Sequence, residues 1–247
     1  MKKVARVTES EVIADFLRGE FYHREYDHDR HRFEALVHDP RLNDEAENAV
    51  RRALLFRRRA TMWRELPADT QWWEVELEQE DVARINIFPR AQWRSLARGN
   101  YQGLHVAELV RGQLEPGKPN DLAAKIRALC TLMRQESQKS TILLIGLDEH
   151  SPSTVLEGNH RFVASLLLPR DTMLRRLRVV CGFSPFMEKC CWYKTSVPNL
   201  FRYLKNRIKH FGDREADTGP WLQQMPRATE GVDDYARSAS LPTVKTE

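Results

Sequence analysis

The sequence predicts an α/β (α+β) fold in which a small mixed sheet with packed helices follows a helical N-terminal section. Three observations carry that expectation. Apolar runs of strand length, Thr141 to Ile145 and Leu177 to Cys181, each stop at a glycine, Gly146 and Gly182. Segments with apolar residues three and four apart lie between such runs, as at Leu122, Ile126, Leu129 and Met133. A length of 247 residues, 41% of them apolar and 30% charged, suffices to bury a core without disulfides or a metal.

The elements follow in order. Thr8 to Glu11, ahead of Val12, Ile13, Phe16 and Leu17, reads as a capped amphipathic helix, with hydroxyls for the early amides and acids at the positive end of the dipole. A second helix, from about 44 to 66, places Val50, Ala53, Leu54 and Ala60 near one face and ends at Pro67. Trp73, Val75 and Leu77 then alternate with Glu74 and Glu76, the period of a half-buried strand, and Arg84 to Phe88 is another candidate strand. Pro89 precedes a short helix that holds Trp93 and breaks at Arg98-Gly99-Asn100. Helices over 107–113 and 121–138 flank a loop marked by Gly112, Pro116, Gly117 and Pro119. Thr154 to Leu156 forms a short strand after the polar turn at Asp148 to Ser153, and an apolar helix from Phe162 to Leu168 stops at Pro169. A strand covers 177–182, and Pro198 to Phe211 closes the fold as an amphipathic helix carrying Leu200, Tyr203, Leu204, Ile208 and Phe211. The expected organisation is a helical section over 1–70, an α/β core over 71–212, and a tail over 213–247 that is disordered or draped on the surface.

Charge and apolar run length exclude some classes. Lys and Arg number 39 against 35 Asp and Glu, a net +4, of which residues 1–212 carry +7 and the tail −3. That balance does not argue for nucleic acid by itself. The apolar stretches are far shorter than the ~18 residues of a spanning helix, and Glu9, Glu11 and Asp15 interrupt any secretory leader. The expectation is a cytoplasmic protein with no membrane partner.

The chemistry concentrates at Glu157-Gly158-Asn159-His160-Arg161, where strand becomes helix. Such a junction exposes unpaired amides and the positive end of a helix dipole, which favour an anion, most commonly phosphate. Gly158 lets backbone approach a ligand, Arg161 grips phosphate oxygens in parallel bonds, and His160 donates or carries a proton. Glu157 suits a base or a ligand for Mg²⁺. The alternative is a plain capped helix in which Asn159 caps, Glu157 pairs with Arg161, and His160 is a satisfied surface residue.

The run Val155-Leu156-Glu157-Gly158-Asn159-His160-Arg161-Phe162-Val163-Ala164 resembles the signature of the ParB/sulfiredoxin-like superfamily, in which an apolar strand leads to a Gly-x-His-Arg type box opening a helix. The resemblance is specific over about ten residues and extends loosely over 72–211. It implies a nucleotide held by its phosphates: ATP in sulfiredoxin, CTP in ParB, ADP or ATP in free-serine kinases of that fold. Gly158, Asn159, His160 and Arg161 would then contact phosphate, with Glu157 at the often acidic position before the glycine. Asn159 stands where sulfiredoxin has its catalytic cysteine, so sulfinic-acid reduction is disfavoured. No helix-turn-helix module follows, so partition-type DNA binding is disfavoured too. The layout as a whole also resembles a bacterial group, a likeness that implies no activity.

Other features are weighed against plain structural roles. Ser184, in Gly182-Phe183-Ser184-Pro185, is a candidate phosphate contact at the same cleft, although the five-residue nucleophile elbow is absent. Trp93, Arg94 and Arg98 form an aromatic-basic group that would line a substrate cleft. His23, Asp27 and His31 would share a face if helical, a candidate metal site. Arg51, Arg52, Arg57, Arg58 and Arg59 suit a surface helix or the phosphates of nucleic acid. Trp192 and Tyr193 read as core, and Cys130, Cys181, Cys190 and Cys191, with no CxxC spacing, as inert thiols. The function expected is a nucleotide-phosphate-binding enzyme that transfers or hydrolyses a phosphoryl group on a small polar substrate, using ATP, ADP or CTP with Mg²⁺. A nucleotide-switched regulatory or nucleic-acid-binding protein and a non-catalytic interaction protein are the alternatives.

Overall fold

Residues Lys2–Val7 form an edge strand, β1, where the sequence suggests only the approach to a helix. Its side chains are exposed as far as Val7, so it has no hydrophobic alternation to betray it; it is held by backbone pairing to one neighbour, and its cations suit an edge. The computed structural model describes residues 1–28, 30–114, 121–135 and 139–222. After β1 come α1 (Glu9–Glu20), α2 (Arg30–His38), α3 (Glu45–Trp63), β2 (Gln71–Glu76), α4 (Gln79–Ala83), β3 (Ile85–Ile87), α5 (Ala91–Ala97), α6 (Gly103–Gln113) and α7 (Asp121–Gln135). Then follow β4 (Ser140–Gly146), β5 (Ser153–Glu157), α8 (Asn159–Leu166), α9 (Arg170–Arg176), β6 (Leu177–Phe183), α10 (Val197–Lys209) and α11 (Gly219–Leu222).

The mixed sheet has six strands in the order β1-β2-β6-β4-β5-β3. β4 runs parallel to β6 and antiparallel to β5, and β3 runs parallel to β5. Ile142, Leu143, Leu144 and Ile145 are all buried, so β4 is covered on both faces, each such side chain contributing roughly 1.5–3 kcal/mol of apolar transfer. On one face Ile142, Leu144, Val155 and Val179 join Trp93 of α5, Val106 of α6, Ile126 of α7 and Phe162 of α8 in a single core. Gly103 makes the α6–α8 approach possible: a methyl group there would lie 2.5 Å from the Phe162 ring. On β2 both faces are covered, which the alternation of Trp73, Val75 and Leu77 does not anticipate. Trp72 is buried and stacks on Trp63 at 5.8 Å and 14°, and Glu74 accepts a 2.8 Å bond from Arg178.

Two units divide the chain, and the boundary differs from the expected one at residue 70. Met1–Val12 and Thr61–Phe211 form the first, which holds the sheet, and Ile13–Ala60 with the segment from Gly212 forms the second. Residues 223–247, the greater part of the expected tail, and the loop at 116–119 lie outside the described residues. α10 stands where the sequence places it, but it does not close the core: Leu200, Leu204, Ile208 and Phe211 are exposed.

In the second unit Phe16, Leu17, Phe21, Tyr26, Phe33 and Leu54 are buried around a charged centre. Arg51 and Glu47 are both wholly buried and pair at 3.1 Å. The guanidinium also donates to Leu36 O at 3.2 Å and Arg41 O at 3.0 Å, while Arg41 Nε reaches Glu47 at 2.7 Å. Burial alone would raise the Glu47 carboxyl; bonds from Arg41 and Arg51 outweigh it and hold the group below the ordinary carboxylate range. Removing one partner strands the other charge in the interior. Glu47→Ala is therefore expected to destabilise this unit by about 3–5 kcal/mol in denaturant unfolding. The pair's contribution is full above the ordinary carboxylate pKa and is lost as pH falls through the depressed value.

Candidate functional site

At the end of β5 the chain turns into α8 through Gly158, at φ +96° and ψ 22°. A β-carbon at this position would meet Ile142 Cγ2 at 2.9 Å and Arg161 Nε at 3.4 Å, so both conformation and space require glycine. The first amide of α8 with an internal acceptor is Phe162, which donates to Gly158 O at 2.8 Å. Among the described residues, the amides of Asn159, His160 and Arg161 have no hydrogen-bond partner. They are the positive end of the α8 dipole. Asn159 is not the cap that the alternative reading makes it. The cap position is Gly158, which has no side chain to offer, and Asn159 follows as the first helical residue, 6% exposed, its Oδ1 without a hydrogen bond among the described residues.

Three cations act on the His160 ring: Arg161 on α8, Lys125 on α7, and Arg90, the residue before α5. Their effect is legible in His160. Burial first, then the charges of Lys125, Arg90 and Arg161, push its pKa down to about 4, so the ring is neutral at pH 7. Its Nε2 lies 2.6 Å from Gln92 Nε2, an amide that only donates, which makes Nε2 the acceptor and leaves the proton on Nδ1. The ring packs tilted on Trp93 with centroids 5.1 Å apart. His160 is thus held as a neutral donor, which corrects its expected part as a proton carrier near neutral pH. Glu157 Oε1 and Arg161 Nη2 are 3.7 Å apart, an ion pair too long for a hydrogen bond, and both side chains are partly open to solvent.

The box residues come together as the sequence suggests, but Ser184 does not join them. Gly146 pairs with Phe183 on one side and Ser153 on the other, whereas Glu157 pairs with Leu143. The antiparallel β5 therefore brings the start of the box to the middle of β4, three residues from the end beside Ser184 and roughly 10 Å away along the strand. Ser184 is also committed: its hydroxyl donates to Asp69 at 2.8 Å and accepts from the Phe186 amide at 3.1 Å. Trp93 is buried and supports His160 rather than lining an open cleft. Arg94 and Arg98 are exposed, and Arg98 ends α5 in the left-handed conformation at φ 48°, more than a turn from Gln92. Arg90, Gln92 and Lys125 were not found from the sequence, because they reach the box from helices whose packing no local motif encodes.

The remaining candidates take structural roles. His23 precedes a short 3-10 turn and His31 lies on α2, so the helical spacing that would gather His23, Asp27 and His31 is absent; Asp27 pairs with Arg30 instead. No group of three His, Cys, Asp or Glu suited to a metal occurs among the described residues. A resident Mg²⁺ held by Glu157 and other side chains is thus not supported by the donor set. On α3, Arg51 is buried, Arg58 and Arg59 pair with Glu20 at 2.6 Å, and Arg57 donates to Thr218. Three of the five arginines, Arg51, Arg58 and Arg59, are thus paired with carboxylates. The four cysteines are free and buried, and burial pushes the Cys190 and Cys191 thiols up to about 11 and about 12.

Two outcomes follow from this geometry. Gly158→Ala places a side chain at positive φ against Ile142 and is expected to cost about 1–3 kcal/mol in denaturant unfolding. His160 prefers its neutral form in the folded state, so stability is full above about pH 6.5 and declines as pH falls toward 4. His160→Gln should flatten that decline, by about 2 kcal/mol after solvent screening of a partly exposed ring, and NMR titration should find the ring's midpoint near 4.

Compared with protein families, curated proteins and solved structures, the chain has no match.

Proposed function

We propose that the β5–α8 junction binds the phosphate of a nucleotide and that the protein is an enzyme of the phosphoryl-transfer or phosphate-hydrolysing type. The observation that carries the reading is the set of three consecutive amides, at Asn159, His160 and Arg161, left without acceptors among the described residues beside a histidine that feels three cations. An anion of tetrahedral oxygens satisfies several donors at once, which a single carboxylate does less completely. The ten-residue resemblance to the ParB/sulfiredoxin-like box supports the same assignment, with ATP, ADP or CTP as the class of ligand.

A bound nucleotide would supply the phosphoryl group; the chain's own residues supply position and charge. The amides orient phosphate oxygens along the α8 axis, and Arg161 leaves its long contact with Glu157 at little cost to grip them. Neutral His160, fixed by Gln92 and Trp93, presents Nδ1–H as a donor without adding charge. Lys125 and Arg90 complete the neutralisation, which carries most phosphoryl-transfer catalysis. Glu157, released from Arg161, is the carboxylate placed to take the proton of an acceptor hydroxyl.

ATP, ADP or CTP, each tested with and without Mg²⁺, is expected to raise the melting temperature of the wild-type chain, by the equivalent of about 2.7 kcal/mol at a hundredfold excess over Kd. Arg161→Ala should keep the fold and weaken the effective nucleotide by about 2–4 kcal/mol. Mass spectrometry of small hydroxylated acceptors should detect a phosphorylated product or free phosphate. Unchanged nucleotide affinity in Arg161→Ala, or no stabilisation by any of the three, overturns the assignment.

A further inference from the structure

The helix α10 is mounted with its polar side inward. Asn199, Tyr203, Asn206 and His210, spaced four, three and four apart, face the fold and are the least exposed residues of this stretch. Asn199 Nδ2 donates to Glu188 O and Lys194 O, both at 2.8 Å; Arg202 donates to Lys189 O at 2.7 Å; and Asn206 bonds Glu65. Tyr203 meets Trp192 edge-on at 6.2 Å. The helix is therefore anchored by hydrogen bonds, an arrangement opposite to the usual one for a surface helix.

The side turned to solvent is the apolar one. Val197, Leu200, Phe201, Leu204 and Ile208 fall within an arc of about 100° at 3.6 residues per turn; Phe211 follows in the turn after the helix, and Phe201, Ile208 and Phe211 are 69%, 77% and 92% exposed. Isolated exposed apolar residues need no explanation, but a contiguous ridge of five along one helix, with Phe211 just past its end, marks an interaction surface. Its charge says what kind. Between Val197 and Phe211 there is no acidic residue, and Arg202, Lys205, Arg207 and Lys209 are all cationic. Lys205 and Arg207 border the apolar arc on its two sides and are exposed.

We propose that this face lies on an anionic membrane surface, with the apolar ridge at the level of the acyl chains and the flanking cations at the headgroup phosphates. A convex ridge with cations on both borders matches a planar, fluid interface that is apolar below and negative above. A second copy of the chain would set the bordering Lys205 and Arg207 against their like-charged counterparts, so like charge opposes self-association through this face. Residues 223–247 hold Arg227, Arg237 and Lys245 against Glu230, Asp233, Asp234 and Glu247, a net −1 that offers the helix little complement. The expectation of no membrane partner rests on the lack of a spanning stretch, and no described helix is long and apolar enough to cross a membrane; a helix lying in the surface plane needs no such stretch.

The test is cosedimentation of the full chain with vesicles of phosphatidylcholine alone and with one third phosphatidylglycerol. Binding is expected to the anionic vesicles, at least tenfold above the neutral ones, and to fall with added salt. Phe201→Ser with Ile208→Ser, both exposed and outside the fold's hydrogen bonds, should lower partitioning at least tenfold with an unchanged melting temperature. Lys205→Gln with Arg207→Gln should lower it severalfold on anionic vesicles only. Lack of vesicle binding, or binding unaffected by the Phe201/Ile208 variant, overturns the proposal. So does a concentration-dependent dimer in analytical ultracentrifugation that the same variant abolishes, which would give the face to a second copy.

Discussion

The organisation of the candidate site depends on how the chain leaves β5. The sheet buries β4 on both faces, and Ile142 presses against the point where the next strand must become a helix. No side chain fits there, so the turn is made by a glycine at positive φ, and a glycine brings no cap. The amides that follow are left unsatisfied as a direct result of core packing beneath them. Sheet density and the uncapped helix end are, at this junction, the same constraint seen from two sides.

Electrostatics extend the argument outward. An uncapped helix end in isolation is a modest attraction, worth under about 1 kcal/mol to a nearby anion in water. Here Lys125 and Arg90 approach from α7 and α5, and their field is strong enough, together with burial, to keep an imidazole neutral. Burial is the larger part of that effect, and the positive charges of Lys125, Arg90 and Arg161 add to it in the same direction. α3 provides the contrast: it holds more arginines, yet Glu47 and Glu20 answer Arg51, Arg58 and Arg59 at hydrogen-bond distance. The count of basic residues therefore misleads where their partners are not considered.

The sequence made the sheet's interior and the box legible for physical reasons. β4, β5 and β6 are short apolar runs punctuated by polar turns, and Gly158 announces a backbone that side chains cannot follow. β1 was hidden because an exposed edge strand has no buried pattern to read, and α4 because a five-residue polar turn has none either. Ser184 was misplaced since strand direction, which separates it from the box, is a property of the sheet and not of the local run. For α10 the periodicity was read correctly and the orientation was not: a moment shows that a helix has two sides, and only Asn199, Arg202 and Asn206 reveal which one holds the fold.

The buried cysteines carry a practical consequence. With Cys130, Cys181, Cys190 and Cys191 all free, enclosed, and raised above their ordinary acidity range by burial, almost none is thiolate at neutral pH. A thiol-directed alkylating reagent meets a native chain that behaves as if it had no cysteine, and gains four targets once the interior opens. Labelling rates in this protein thus report opening events directly, with Cys181 in the middle of the sheet and Cys130 on α7 marking how far each one reaches.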